Sequence, residues 1–398
     1  MPKRANVKRK KKILLNWWYD REDLLLPFLN LKDEIDFVLL FYKRPSEKEP
    51  DLPFSIIYWD DYATPFTLLK SVSPDEVVFI NIDDAPYQIA LNLACRKVKI
   101  PTTICDHAMR GYADLPAEKI NFKENKLTTA RFLFSALSFT NIKDLPKLLL
   151  LVYYKLRNSP LGRTGSGLQS LRIPDKYICF SRSSAEFFIA RDKASNAQIT
   201  LIGNPSFDPF FDQKPCTAAD DFYLLIDQPF VKSKFGNDLV TLKEKNRFLE
   251  KLGNFCAAHN KRLVVKLHPD NFGQNYFLRH PAIEYQERGD IVSLIHHCSG
   301  VFGFYSTLLI PAIYFKKCIA FKINELEIQK TWAEMGVVNL LDFYSFSESD
   351  IDFETFTVPE ESLKYFTDYF IYKPDGRAQQ RLKIALQSPG KICKTQDA

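Results

Sequence analysis

A chain of 398 residues, 46% hydrophobic and 26% charged, is long enough for two hydrophobic cores and too apolar to be disordered. Its formal charge of +6 is too mild to demand nucleic acid. With no RNA-binding, helix-turn-helix, Walker or dinucleotide-loop pattern, a nucleic-acid partner and the familiar ATP or NAD sites are excluded.

Residues 1–12 hold Lys3, Arg4, Lys8, Arg9, Lys10, Lys11 and Lys12 without an acid and read as a solvated, disordered tail. The apolar run after it, Ile13–Leu15, is too short for a signal peptide or a membrane span. Strand-like runs follow at Ile13–Trp18, Asp36–Tyr42, Phe54–Trp59, Glu76–Ile82 and Thr102–Cys105, with a helical pattern over Pro86–Arg96. This alternation predicts an N-terminal Rossmann-like domain over 13–195.

Residues 119–172 break the rhythm with a basic, very apolar helical insert containing Leu148–Tyr154. Its apolar run is well short of the about 20 residues that span a bilayer, so it reads as a hairpin packed on the domain or lining an acceptor channel. An inner-leaflet membrane surface is its alternative contact. Ser159–Gly167 is the most loop-like stretch and a candidate lid.

The rhythm resumes over 196–340, with strands at Phe222–Ile226, Arg262–Leu267 and Gly300–Phe304 and helices over Leu239–His259 and Ser306–Tyr314. Residues 341–398 are expected to form a C-terminal helical segment that packs back across the domains. The fold class is therefore α/β, two Rossmann-like domains facing a cleft. Eight cysteines at 95, 105, 179, 216, 256, 298, 318 and 393, without a Cys-x-x-Cys pair, read as reduced buried thiols of a cytoplasmic protein.

Chemistry-bearing residues gather at expected strand ends, where open α/β sheets bind ligands. Lys266-Leu267-His268-Pro269 closes one strand, and proline forces the chain to turn there. Ser306 and Thr307 open the helix after Phe304, where hydroxyls and free N–H groups favour an anion. Asp106 and His107, beside Arg110, follow the strand Thr102–Cys105 and are candidates for a general base and an anion contact. Asp83 and Asp84 are the rival carboxylate pair on the acceptor side. The absence of an Asp-x-Asp after a strand predicts no metal.

Lys176–Glu186 and Ile199–Asp208, with its Gly203-Asn204-Pro205, resemble the entry to the C-terminal domain of GT-B glycosyltransferases. Leu224–Phe230 with Asp227-Gln228-Pro229, then His268-Pro269, then Gly303–Ala312 with Tyr305-Ser306-Thr307, are similar to elements of bacterial sialyltransferases, polysialyltransferases and related capsule enzymes. The resemblance covers roughly 175–320. It implies an inverting, metal-independent transferase without a bound cofactor, moving an acidic sugar from a CMP-linked nucleotide sugar to a glycan or glycolipid in capsule or lipooligosaccharide synthesis. His268 would then meet the departing phosphate, Asp227, Gln228, Pro229, Lys266, Pro269, Tyr305, Ser306 and Thr307 would surround the donor, and Asp106 or His107 would serve as base. Three alternatives share the architecture: a CDP-glycerol or ribitol polyol-phosphate transferase, a sugar-nucleotide epimerase, and a non-catalytic GT-B-like binding subunit.

Overall fold

The computed structural model describes residues 9–17, 22–41, 51–82, 86–107, 134–140, 142–157, 167–213, 220–231, 239–274, 277–324 and 326–388. The chain divides into two compact units, one of Met1–Ser206 with Arg377–Ala398, the other of Phe207–Gly376.

The first unit contains β1 (Lys11–Asn16), α1 (Glu22–Leu29), β2 (Ile35–Phe41), β3 (Ser55–Tyr58), α2 (Pro65–Val72), β4 (Glu76–Phe79), α3 (Pro86–Val98), β5 (Thr102–Cys105), α4 (134–139), α5 (Leu145–Leu156), α6 (Gln169–Arg172), β6 (Lys176–Cys179), α7 (Arg182–Asp192) and β7 (Ile199–Leu201). Its sheet runs β3-β2-β1-β4-β5-β6-β7, with every pair parallel. Ile13, Leu14 and Leu15 are fully buried, as a strand covered on both faces requires.

The second unit contains α8 (Asp208–Asp212), β8 (Phe222–Ile226), α9 (Leu242–Ala258), β9 (Arg262–Lys266), β10 (Ile283–Gln286), α10 (Ile291–His297), β11 (Val301–Gly303), α11 (Leu309–Phe315), β12 (Cys318–Lys322), α12 (Glu327–Glu334), β13 (Asn339–Asp342) and α13 (Glu360–Phe366). Its parallel sheet runs β10-β9-β8-β11-β12-β13, the doubly wound Rossmann order. That order reverses between β8 and β11, and in the first sheet between β1 and β4.

Several expectations need correction. The disordered tail cannot extend to residue 12, because β1 begins at Lys11, whose ammonium bonds Glu76 at 2.6 Å. The first unit extends to Ser206 rather than 195, because β7 pairs with β6. Residues 341–376 belong to the second unit, where Phe343, Phe346, Ile351 and Phe353 join its aromatic core. The chain rejoins the first unit at Arg377, and α14 (Ala378–Gln387) buries Leu382, Ala385 and Leu386 in that unit's core. The helix expected from Ser306 starts at Leu309 after a turn.

Cys95, Cys105, Cys179, Cys256, Cys298 and Cys318 are buried free thiols, and burial pushes Cys256 and Cys298 up to about 12. Among the described residues, no helix is long and apolar enough to cross a membrane. Most of the candidate lid lies outside them.

Candidate active site

In the second unit, the residues following β9, β8 and β11 share the carboxyl edge of three adjacent strands. Beneath them Phe230 packs edge-on against Phe304 with ring centroids 4.6 Å apart, and Tyr305 lies 6.1 Å from Phe230. This contact joins the Gln228-Pro229 loop to the Tyr305–Thr307 turn at the point where the strand order reverses, the place where such sheets bind ligands.

His268 caps the short turn Pro269–Asn271, its Nδ1 accepting the Asp270 N–H at 3.2 Å. With Nδ1 as the acceptor in this contact, the tautomer that matches it carries the hydrogen on Nε2. Asp270 Oδ2 stands 3.6 Å from Nδ1. The imidazole is half-buried, positioned by the proline-enforced turn and the cap.

Asp227 is only 3% exposed. Its Oδ1 pairs with Lys245 Nζ at 2.7 Å and its Oδ2 accepts Asn271 Nδ2 at 2.6 Å, so both oxygens are engaged inside the unit. Lys266 is likewise occupied, donating to the Glu287 carbonyl at 2.6 Å and lying over the Phe272 ring. Burial holds its ammonium below the ordinary lysine value, opposed by Glu287. Gln228, Pro229, Tyr305, Ser306 and Thr307 are half-buried, and Ser306 Oγ accepts the Leu308 N–H at 3.3 Å. Lys245 and Asn271 escaped sequence reasoning: a lysine early in an amphipathic helix and an asparagine in a turn carry no signal of their own.

In the first unit Asp106 follows β5 and is 1% exposed. Its N–H donates to the Ile178 carbonyl at 3.0 Å and its Oδ2 accepts the Phe180 N–H at 2.9 Å, which extends the β5–β6 ladder past the strand ends. His107 is half-buried and set edge-on to Trp17, with centroids 6.3 Å apart. It lines a small recess with Trp17, Phe28, Asp106, Phe180 and Ser206. At the strand-order reversal, Gln88 Nε2 donates to Asn16 Oδ1 and Asn81 Oδ1, each at 3.1 Å, clamping the ends of β1 and β4. That clamp was unforeseen, although Asn16 at the end of an apolar strand was a visible signal. Asp83, Asp84 and Arg110 lie outside the described residues.

The model of the alpha-2,8-polysialyltransferase family (POLYST) matches residues 60–276, more than half of the chain and including Asp106, His107, Asp227 and His268. No curated protein matches the chain in sequence. Among solved structures it is similar to CalG4, the calicheamicin glycosyltransferase, with a TM-score of 0.54 at 12% identity over 95% of this chain and 98% of that one. The glycotransferase of kitacinnamycin gives 0.52 at 11% identity over 95% and 99%. UDP-GlcNAc 2-epimerase from Neisseria meningitidis bound to UDP-GlcNAc gives 0.50 at 13% identity over 94% and 99%. At such identities the neighbours show the fold alone, two Rossmann-like units of the GT-B kind, while the family match shows the class of chemistry: the chain belongs to the alpha-2,8-polysialyltransferase family and is a GT-B glycosyltransferase.

Proposed function

We propose that this transferase moves an acidic sugar of the sialic acid type from a CMP donor to a hydroxyl of a glycan or glycolipid in surface polysaccharide synthesis. The observation that carries this reading is the His268 turn, which holds the imidazole by its Nδ1 at the carboxyl edge of β9, beside the point of strand-order reversal. When the bond from the anomeric carbon to the phosphate oxygen breaks, its electron pair leaves with CMP. Donors already held in place for that growing charge lower the barrier. In this reading His268 Nε2–H meets the phosphate, the Ser306 and Thr307 hydroxyls assist, and Tyr305, Gln228 and Pro229 border the nucleotide. These donors meet the leaving charge without a metal.

The acceptor oxygen attacks the anomeric carbon from the opposite face, with inversion, and its proton passes to a base. His107 suits that role better than Asp106: both border the recess, but His107 is half-buried, whereas the Asp106 carboxylate is buried and accepts the Phe180 N–H. Arg110, Asp83 and Asp84 are assigned to the acceptor.

Contact with an anionic membrane surface fits the stripe Leu145, Leu149 and Tyr153, exposed at four-residue spacing on α5, with Phe134, Leu137 and Ile142 exposed in the residues before it. Lys143, Lys147 and Arg157 border it against the one acid Asp144.

The test is melting-temperature titration with CMP, CDP, UDP and GDP, paired with turnover of CMP-N-acetylneuraminic acid. A rise with CMP and release of CMP from the donor are expected, since a ligand that binds the native state stabilises it. A rise selective for CDP with turnover of CDP-glycerol overturns the CMP-sugar reading in favour of polyol-phosphate transfer.

A further inference from the structure

We propose that Asn271 and Lys245 are positioning residues for His268, acting through the Asp227 carboxylate. The proposal rests on the role of His268 given above and adds what holds its ring in place. Asp227, Lys245 and Asn271 are 3%, 4% and 2% exposed, three polar groups enclosed beside an aromatic core. Lys245 lies one turn into α9, and helical side chains lean toward the helix N-terminus, which carries its ammonium back to the end of β8. There it meets Asp227 Oδ1 at 2.7 Å and the Gln228 carbonyl at 3.3 Å. The second carboxylate oxygen takes Asn271 Nδ2 at 2.6 Å. Asn271 closes the turn that His268 opens, its N–H donating to the His268 carbonyl at 2.8 Å. The turn is therefore pinned at one end by β9 and at the other by Asp227, and the imidazole stands between the two pins.

Stability alone does not account for this arrangement. A buried lysine–aspartate pair is often no better for stability than apolar residues of the same shape, because both charges lose their water. What the pair supplies is a fixed acceptor for Asn271, and through it a fixed height and tilt for the His268 turn. The same lysine holds the Gln228 carbonyl, so one ammonium fixes the end of β8, which Asn271 ties to the turn after β9.

The test is a double-mutant cycle on the full chain, read as kcat for CMP release from CMP-N-acetylneuraminic acid, with the His268 ring nitrogens followed by 15N NMR. Asn271→Ala is expected to lower kcat about 10- to 100-fold with the donor KM nearly unchanged, the loss that small misplacement of a catalytic group brings. In a His268→Ala background the same substitution is expected to cost less than about twofold, since residues acting as one unit are not additive. The NMR signature of a single Nε2–H tautomer should give way to a mixture in Asn271→Ala. The triple variant Asp227→Leu/Lys245→Met/Asn271→Leu guards against simple unfolding: its melting temperature should stay near that of the parent while kcat falls as in Asn271→Ala. Equal losses in both His268 backgrounds, an unchanged tautomer in Asn271→Ala, or full kcat in the triple variant overturns the positioning role alone. A His268→Ala chain with unchanged kcat overturns the reading of His268 itself, and the positioning role with it.

Discussion

His268 Nδ1 accepts the backbone N–H of Asp270 at 3.2 Å, so the imidazole that the proposed function uses as a donor through Nε2 also caps a turn. The two tasks separate by substitution. His268→Asn retains an acceptor at the capping distance, and asparagine is among the best caps, so the melting temperature should stay close to that of the parent. It lacks the reach of Nε2, so turnover should fall about 100- to 1000-fold, the usual cost of removing one preorganised donor. His268→Ala should lose both. Comparable activity in His268→Asn and the parent would sink the donor assignment.

The buried Asp106 and the half-buried His107 predict different failures. If His107 is the base, His107→Ala should abolish sugar transfer to acceptor yet leave slow hydrolysis of the donor, because water needs less help than a sugar hydroxyl held in place. Asp106→Ala should lower stability first, by about 1–3 kcal/mol for the orphaned Phe180 N–H. A stable Asp106→Ala protein that retains donor hydrolysis but has no transfer would hand the role of base back to Asp106.

The α5 stripe makes a surface prediction. Leu149→Glu/Tyr153→Glu removes two exposed apolar contacts on the same helical face and adds two negative charges. Co-flotation with vesicles rich in phosphatidylglycerol should drop at least about tenfold, while turnover of a water-soluble acceptor stays as it was. Equal flotation of parent and variant would remove α5 from any membrane contact.

Much of this architecture was readable beforehand because parallel strands buried on both faces leave unbroken apolar runs. The strands Thr102–Cys105 and Phe222–Ile226 appear with the residues expected. Strand β12 was not legible, because Cys318–Phe321 continues the apolar run of α11 with only Lys316 and Lys317 between them. Strands β10 and β13, IEYQ and NLLD, are too short and mixed to show a period. The motif residues fell at strand ends as expected, but which of them face a ligand depended on distant partners. Asp227 reads as a donor contact, and nothing in the sequence shows that its carboxylate also accepts from Asn271, 44 residues away. The family match reaches back to residue 60, over a stretch whose likeness no short motif carries.

The start of α9 gives a pH prediction. Thr241 and Glu244 form a capping box, the Thr241 N–H donating to Glu244 Oε2 at 2.7 Å and the Glu244 N–H to Thr241 Oγ1 at 3.2 Å. Hydrogen bonds from the Thr241 backbone and hydroxyl hold the Glu244 carboxyl below its ordinary value of 4.5. A folded value below the unfolded one means that the unfolded state binds the proton more readily. The contribution is therefore complete above pH 4.5 and disappears as pH falls through the folded value. Thr241→Val should lower the melting temperature at neutral pH, and the gap to the parent should narrow as pH drops below 4.5. A gap constant from pH 7 to 3 would show that the carboxylate takes no part in holding this helix start, one turn before Lys245.

At the opposite edge of the first sheet, the wholly buried Glu76 gathers Lys11 Nζ at 2.6 Å, Lys176 Nζ at 3.4 Å and the Thr103 hydroxyl. The two lysines also donate to the last carbonyls of α14, Lys11 to Leu386 at 2.6 Å and Lys176 to Ala385 at 2.8 Å. Cations at a helix C-terminus satisfy carbonyls that have no partner within the helix and complement its dipole. Glu76 thus neutralises the charges that fasten the returning helix to the sheet. Glu76→Gln leaves two largely buried ammoniums facing each other without a counter-charge, at a cost of about 3 kcal/mol. The loss should be local before it is global, with amide exchange accelerating first over 378–388. Exchange that quickens equally in β1 and α14 would mean that the cluster supports the sheet as a whole and has no particular hold on the helix.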